Sequence, residues 1–148
     1  MSFKEKINQD TVSAAKAQDK LRLSALRMLK SALHNREIEL KRELQELEFL
    51  QLIASMVKQR KDSIEQFAKG GRNDLVEKEE AELKVIEAFL PAQLSEADVD
   101  AAIGAAIEEA GATGIRDMGK VMKALMPKVT GKADGKWVGD KVKARLSA

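Results

Sequence analysis

The sequence predicts an all-α fold from three observations. Apolar side chains recur at helical spacing, no stretch alternates with period two for long, and β-branched residues are sparse. Prolines occur only at 91 and 127, so helices can run uninterrupted through most of the 148 residues. The hydrophobic content of 44% is enough for a core, and the 34% of charged residues are mixed in sign, which argues against global disorder.

Four helices are predicted in the first part of the chain, as a bundle or hairpin. They begin at Phe3, near Asp19, near Leu44 and at Asn73. Asp19 and Asn73 are suitable N-caps, and the first helix extends to about Gln18. The third helix extends to Lys69, where two glycines stop it. Pro91 ends the fourth helix because proline disfavours α conformation in the residue before it.

Three shorter helices are predicted in the second part. Ser95 begins the fifth with a sequence like a capping box, and Gly111 ends it. Asp117 begins the sixth, which stops before Pro127, and Asp134 begins the seventh. The predicted domains are therefore residues 1–92, which are helical, and residues 93–148, a small three-helix domain.

Composition excludes several classes of site. There is no cysteine, and the single His34 has no His or Cys neighbour, so we expect no metal and no cofactor. No apolar stretch could span a bilayer and no signal peptide is visible, so we expect no membrane association and a cytoplasmic protein. Four Phe and one Trp are too few for a protein that stacks successive bases on aromatic rings.

Two charged clusters in the first part are interpreted as ordinary surface. The carboxylates of the fourth helix suit a solvated polar face rather than a catalytic pair; they are Asp74, Glu77, Glu79, Glu80 and Glu82. A basic patch is weakened by the acids around it; its members are Lys58, Arg60, Lys61, Lys69 and Arg72.

Residues 111–148 concentrate positive charge. They contain nine Lys or Arg and three Asp or Glu, a net charge of +6, whereas residues 1–110 carry −4. Such asymmetry indicates a polyanionic partner. Gly114, Gly119 and Lys120 have P-loop spacing, but Val121 replaces the Mg²⁺-binding hydroxyl residue and no strand precedes the glycines. We therefore reject nucleotide hydrolysis.

A helical wheel separates this basic segment into two faces. Arg116, Lys120 and Lys123 fall within about 60° of one another. The opposite, core-facing side holds Met118, Val121, Met122, Leu125 and Met126. Lysine suits phosphate contact rather than base reading. The predicted phosphate contacts are Arg116, Lys120, Lys123, Lys128, Lys132 and Lys136, and the residues predicted to shape the motif are Asp117, Gly119, Gly131, Asp134 and Gly135.

The segment DMGKVMKALMPKVTGKADGK, residues 117–136, closely resembles the signature of the GatB/YqeY family, in particular the small YqeY-like proteins. Residues 26–38, 58–67, 71–75 and 89–95 resemble further family segments in the right order. The resemblance therefore covers nearly the whole chain. Two departures are residues 45–49, which differ from the usual acidic turn, and Trp137, which replaces an aliphatic residue and either packs between domains or lies beside the lysines.

The resemblance implies a helical domain joined to a tail like the C-terminal domain of GatB. GatB is a subunit of the glutamine-dependent amidotransferase that converts Glu-tRNA or Asp-tRNA to Gln-tRNA or Asn-tRNA. In that enzyme the tail helps to hold tRNA, whereas the amidase subunit and the larger domain of GatB do the chemistry. This sequence contains neither of those parts.

The leading hypothesis is a stand-alone accessory protein that binds tRNA or another structured RNA, with translation-related proteins as further candidate partners. One alternative is participation, within a complex, in carbon–nitrogen ligase activity with glutamine as amido-N-donor. A second alternative is a helical protein-interaction module. We predict no catalytic residue and expect no catalysis by the chain alone.

Overall fold

Helices dominate the computed structural model, which describes residues 2–148. These residues form seven α-helices and one short 3₁₀ helix, with no strand among them, so the predicted all-α fold is confirmed. No helix in this range is long and apolar enough to cross a bilayer. The helices group into two compact units that divide between Leu90 and Pro91, which we call the N-terminal unit and the tail unit.

Local capping explains where the first helices of the N-terminal unit begin. Its helices are α1 Phe3–Lys16, α2 Lys20–Leu40, α3 Glu46–Lys69 and α4 Asn73–Glu87. The Ser2 hydroxyl accepts the Glu5 N–H at 3.2 Å, and the Glu5 carboxylate accepts the Ser2 N–H at 3.1 Å, which completes a capping box. Asp19 caps α2 as predicted, because its carboxylate accepts the Arg22 N–H at 3.2 Å.

Helix α4 differs from the prediction in its N-cap residue and in its C-terminal end. Asn73 is the first helical residue, and Arg72 takes the N-cap position. The helix ends at Glu87, several residues before Pro91, so the proline does not end it. A tighter turn follows, in which the Phe89 N–H donates to the carbonyl three residues earlier at 3.1 Å. The Phe89 ring is buried in the core.

The core of the N-terminal unit combines aliphatic and aromatic side chains. Its fully buried members include Ile7, Leu26, Leu29, Ile53 and Ile86. The rings of Phe3 and Phe49 stack with centroids 4.2 Å apart, and Phe89 meets Phe49 edge-on at 6.4 Å. These contacts join the beginnings of α1 and α3 to the chain that follows α4.

A buried ion pair connects α3 and α4. Arg60 is 6% exposed and Glu82 is 4% exposed. The Arg60 Nη1 donates to Glu82 at 2.5 Å and to Glu79 at 2.8 Å, and Nη2 lies 3.3 Å from the sulfur of Met28 on α2. The predicted solvated face is therefore wrong for Glu82, and Arg60 does not belong to a surface patch. Its position, three residues after the buried Val57, turns it toward the core.

Side-chain hydrogen bonds hold the connection between α2 and α3. Lys41, in the left-handed conformation with φ 57°, ends α2. The Arg42 guanidinium donates two hydrogen bonds of 2.7 Å to the Glu48 carboxylate, which also accepts the Gln45 N–H at 3.0 Å. These bonds, chiefly those from Arg42, lower the pKa of Glu48 from its ordinary 4.5 to about 2.

The tail unit surrounds an aliphatic core. It comprises α5 Glu96–Ala110, the 3₁₀ helix Ile115–Asp117, α6 Met118–Val129 and α7 Gly135–Leu146. All three α-helices contribute buried side chains, which include Val99, Ile103, Val121, Leu125, Val138 and Val142. The Ser95 hydroxyl accepts the Asp98 N–H at 3.1 Å, but within the described residues no reciprocal bond returns, so only half of the predicted capping box forms. Gly111 ends α5 with φ 62°, as predicted.

Helix α6 continues through Pro127 to Val129, which corrects the predicted stop before Pro127. Pro127 lacks the N–H that would bond the Lys123 carbonyl, and its ring crowds that carbonyl, so other contacts must stabilise the last turn. The backbone of Thr130 donates to the Met126 carbonyl at 2.9 Å, and its hydroxyl donates to the same oxygen at 2.6 Å. Burial of Val129 in the core favours the additional turn.

Replacing Arg60 tests the buried ion pair. Arg60→Ala leaves the Glu82 carboxylate buried without its cation, and we expect a loss of about 3–5 kcal/mol in the free energy of unfolding. Urea unfolding followed by far-UV circular dichroism measures it. The exposed neighbour Lys61 is the control, and Lys61→Ala should change stability by about 0.5 kcal/mol or less. An equal effect of the two substitutions would contradict the burial argument.

Glu48 should make stability depend on pH. Its folded-state pKa is depressed to about 2, so its contribution is complete above its ordinary pKa of 4.5 and is lost as the pH falls toward 2. Denaturant unfolding of the wild type and of Glu48→Gln should therefore differ most near neutral pH and converge between about pH 5 and pH 2. A difference that does not vary with pH would show that the Arg42 contact does not act through ionisation.

Candidate nucleic-acid interface

Folding changes the charge balance of the tail. The +6 segment of residues 111–148 belongs to a unit that also contains α5. Residues 91–148 hold nine Lys or Arg and eight Asp or Glu, so the net charge of the unit is +1. Helix α5 carries five of these acids, which are Glu96, Asp98, Asp100, Glu108 and Glu109, and it packs along α6. The positive charge of residues 111–148 is therefore nearly balanced by the acids of α5 within the same unit.

Oxygen atoms of α5 form ion pairs or hydrogen bonds with the nearest cations of α6 and α7. Lys128 on α6 lies 3.6 Å from the Glu109 carboxylate. Lys141 on α7 lies 2.9 Å from both Glu96 and Asp100, and these two hydrogen bonds raise the pKa of the Lys141 ammonium. Arg145 donates to the carbonyl oxygen of Asp100 at 2.9 Å. Lys128, a predicted phosphate contact, is thus partly neutralised within the protein.

The predicted cations of α6 lie on its solvent side. Arg116, in the 3₁₀ helix, and Lys120 and Lys123, in α6, are exposed, and none forms an ion pair with a carboxylate of residues 2–148. Val121 and Leu125 are fully buried on the other side. Met118, Met122 and Met126 are half-buried at the edge of the core rather than inside it.

Asp117 occupies the N-cap position of α6, where the sequence placed the beginning of that helix, but its side chain does not cap the helix. It ends the 3₁₀ helix, and its carboxylate turns back to accept the Thr113 N–H at 3.0 Å instead of capping α6. This backbone hydrogen bond, with the nearby charges of Lys120 and Arg116, lowers the pKa of Asp117. The aspartate therefore braces the turn that leads into α6 and reduces the local positive charge.

The remaining predicted cations differ in exposure. Lys132 is half-buried, and its carbonyl accepts the Leu94 N–H at 2.8 Å, so its backbone has a structural role. Lys136 is exposed in the first turn of α7. Lys143, also exposed on α7, was missed by the sequence reasoning. Its spacing of seven residues from Lys136 would have placed it on the same face.

Only one of the three motif glycines has a backbone that requires glycine. Gly131 is buried with φ 74°, and its carbonyl accepts the Gln93 Nε2–H at 2.7 Å. Gly119 and Gly135 lie in the first turns of α6 and α7, where neither has positive φ and a Cβ would meet no atom within 4 Å. Glycine inside a helix costs about 0.5–1 kcal/mol relative to alanine. These two glycines therefore do not shape turns.

Asp134 and Trp137 define the beginning of α7. The Asp134 carboxylate accepts the Trp137 N–H at 3.2 Å, so it caps the helix as predicted. The Trp137 side chain is 37% exposed, and the Lys141 ammonium lies 4.9 Å from its ring centroid. The indole therefore neighbours the cation that α5 binds.

The N-terminal unit contains a separate polar cavity of about 350 Å³ where α2, α3 and α4 meet. Its lining comprises Ser24, Met28, Met56, Gln59, Arg60, Ser63, Lys78, Glu79 and Glu82. The charges in its wall largely satisfy one another through the Arg60 hydrogen bonds. In the part of the chain that the structure describes, no three His, Asp or Glu side chains gather as a metal site would require.

Comparison with known proteins identifies the family. The family model described as Yqey-like protein matches residues 4–146. The chain therefore belongs to the YqeY family, which is related to the C-terminal domain of GatB.

Curated relatives share one name, "Altered inheritance of mitochondria protein 41, mitochondrial". The protein of Lachancea thermotolerans is 39% identical over 107 residues, covering 70% of this chain and 57% of that protein. The Kluyveromyces lactis protein is 39% identical over 100 residues, covering 66% and 54%. The Saccharomyces cerevisiae protein is 37% identical over 95 residues, covering 62% and 51%. This chain thus spans about half the length of the curated relatives it matches.

The predicted cytoplasmic localisation is contradicted by these relatives, whose names place them in mitochondria. A targeting signal is a separate segment of sequence, and the composition of a folded helical domain does not encode it. The lack of cysteine therefore does not determine the compartment.

Substitution of Gly131 tests the turn between α6 and α7. Gly131→Ala forces a Cβ into the left-handed region, and we expect the tail unit to lose about 1–2 kcal/mol. The fluorescence of Trp137 reports unfolding of this unit, because the chain has no other Trp and no Tyr. Gly135→Ala is the matched control and should be neutral or stabilising. Equal stability of the two variants would contradict the assignment.

Proposed function

We propose that this protein binds the phosphate backbone of tRNA or another structured RNA through the exposed cations of its tail unit. The proposal rests on one observation. Carboxylates of the acidic helix α5 form ion pairs with some cations of the tail unit, and other cations of the tail have no carboxylate partner. Lys132 also lacks an ion pair but is half-buried, and Arg145 donates to the Asp100 carbonyl. Among residues 2–148, the exposed members of the tail with neither kind of partner are Arg116, Lys120, Lys123, Lys136 and Lys143. We call this set the basic face.

The chemistry of the basic face favours phosphate over bases. Lysine presents a compact point charge, which suits a phosphate oxygen and carries little information about base identity. The single tryptophan lies beside Lys141. One aromatic ring cannot form a stacking platform for successive bases. Binding should therefore depend on charge and shape, with little dependence on sequence.

The family relationship supports tRNA as the RNA to test first. The YqeY family is related to the GatB C-terminal domain, and the resemblance of residues 117–136 to that domain implies a tail that helps to hold tRNA. The same segment carries three members of the basic face. These residues thus support the proposal through their chemistry and through their family pattern.

Neutralising two lysines tests the basic face. We expect Lys120→Gln with Lys123→Gln to weaken tRNA binding and to reduce the slope of log K against log salt by about 0.7–0.9 for each phosphate that is no longer neutralised. Fluorescence anisotropy with labelled tRNA over a salt series measures both quantities. The matched control is Lys61→Gln with Lys69→Gln, which removes the same charge from ion-paired lysines of α3.

The comparison separates a binding face from a general effect of net charge. If both double variants lose affinity equally, non-specific attraction explains the binding. If the wild-type protein does not bind tRNA at low salt, the proposal is wrong. Retention of a specific protein after nuclease treatment would then favour the interaction module.

The alternative of a part in glutamine-dependent amide transfer rests on the family resemblance. It predicts ammonia release from glutamine, or amidation of Glu-tRNA, when the protein is present in its complex. Assay of both products with and without the protein tests this alternative independently of RNA affinity.

A further inference from the structure

The two helices that carry the basic face share one residue spacing. Arg116, Gly119 and Lys123 are separated by three and then four residues, and the same separations relate Lys136, Gly139 and Lys143. Residues at i, i+3 and i+7 lie on one face of a helix. On α7 the glycine therefore lies between two cations that are about 10 Å apart along the axis. In the other triplet, Arg116 lies in the 3₁₀ helix that leads directly into α6, and Gly119 and Lys123 lie in α6 itself.

The fold does not explain the two glycines. Neither Gly119 nor Gly139 has a positive φ, and a Cβ on either would meet no atom within 4 Å. Both lie within helices, where glycine is less favourable than alanine. Gly131 is different, because its φ of 74° requires glycine. Close approach of another molecule to the backbone is the remaining physical use of a glycine.

The flanking cations are available to such a molecule. None of the four forms an ion pair within residues 2–148, although Lys128 and Lys141 do. Two carboxylates adjoin the faces. Asp117 is engaged by Thr113, and Asp140 is exposed four residues after Lys136 without pairing with it. These four cations are therefore exposed to solvent, and no carboxylate neutralises them.

We propose that each of these triplets is a contact for RNA sugar–phosphate backbone. The backbone packs on the bare helix at Gly119 and at Gly139, and the flanking cations hold the phosphates on either side. This inference rests on the proposed function, and it adds both glycines and Lys143 to the binding site. Two such contacts on neighbouring helices suit an RNA that presents two stretches of backbone close together, as a folded RNA does.

The decisive variant is Gly119→Ala with Gly139→Ala. The added methyl groups hold the RNA backbone away from the helix, and we expect the dissociation constant for tRNA to rise about tenfold. The Tm of the tail unit, followed by Trp137 fluorescence, should stay unchanged or rise. Binding and stability thus change in opposite directions, which a folding defect cannot produce.

Gly70→Ala is the matched control. Gly70 lies at the end of α3, has φ −83°, and a Cβ there would make ordinary contacts at 3.6 Å. This variant should bind tRNA like the wild type. Poly(U) of equal length should bind the wild type more weakly than tRNA and respond less to the glycine substitutions.

The outcomes distinguish this inference from the proposed function. If the lysine variants lose binding and the glycine double variant does not, the inference is wrong and the proposed function stands. A lower Tm of the glycine double variant would show that the fold needs these glycines, and would also overturn the inference. Equal affinity for poly(U) and tRNA would overturn the assignment to folded RNA. Failure of wild-type binding would overturn both.

Discussion

The packing of the acidic helix α5 against α6 decides how the tail unit presents its charge. Exposed ion pairs such as Lys128–Glu109 contribute little to stability, so their importance here is electrostatic. They neutralise Lys128 and Lys141, whereas the cations of the basic face are exposed to solvent without a carboxylate partner. Charges separated by more than about 8 Å are largely screened at physiological salt. A unit with a net charge near +1 can therefore attract a polyanion through one face.

The N-terminal unit shows the opposite use of charge. Arg60 and Glu82 were expected at the surface, yet they lie in the core and join α3 to α4, with the sulfur of Met28 as a further contact. Such a pair has a desolvation cost, so an apolar pair of similar volume would stabilise the unit as well or better. We infer that the pair specifies how α2, α3 and α4 meet, and it leaves a polar cavity beside that junction.

Much of the local structure could be predicted because its causes are local. Asp19 and Asp134 cap their helices through backbone N–H groups three residues away. The wheel correctly placed Val121 and Leu125 opposite the cations. The sequence also indicated burial of Arg60. It lies three residues after Val57 and four before Ile64, and both of these belong to the apolar face of α3. Charged residues usually stay in water, so the position alone did not predict burial. The carboxylates that accept hydrogen bonds from Arg60 lie 19 and 22 residues away in the chain.

By itself the sequence determined the all-α class, most helix boundaries, the apolar stripes and the resemblance to the YqeY family. These follow from residues within one or two helical turns of one another, or from patterns of consecutive residues. Only the tertiary structure decided which cations of the tail are free. Lys141 and Glu96 are 45 residues apart in the chain and 2.9 Å apart in space. Coulomb interaction depends on distance in space, so the positions of α5, α6 and α7 had to be known first.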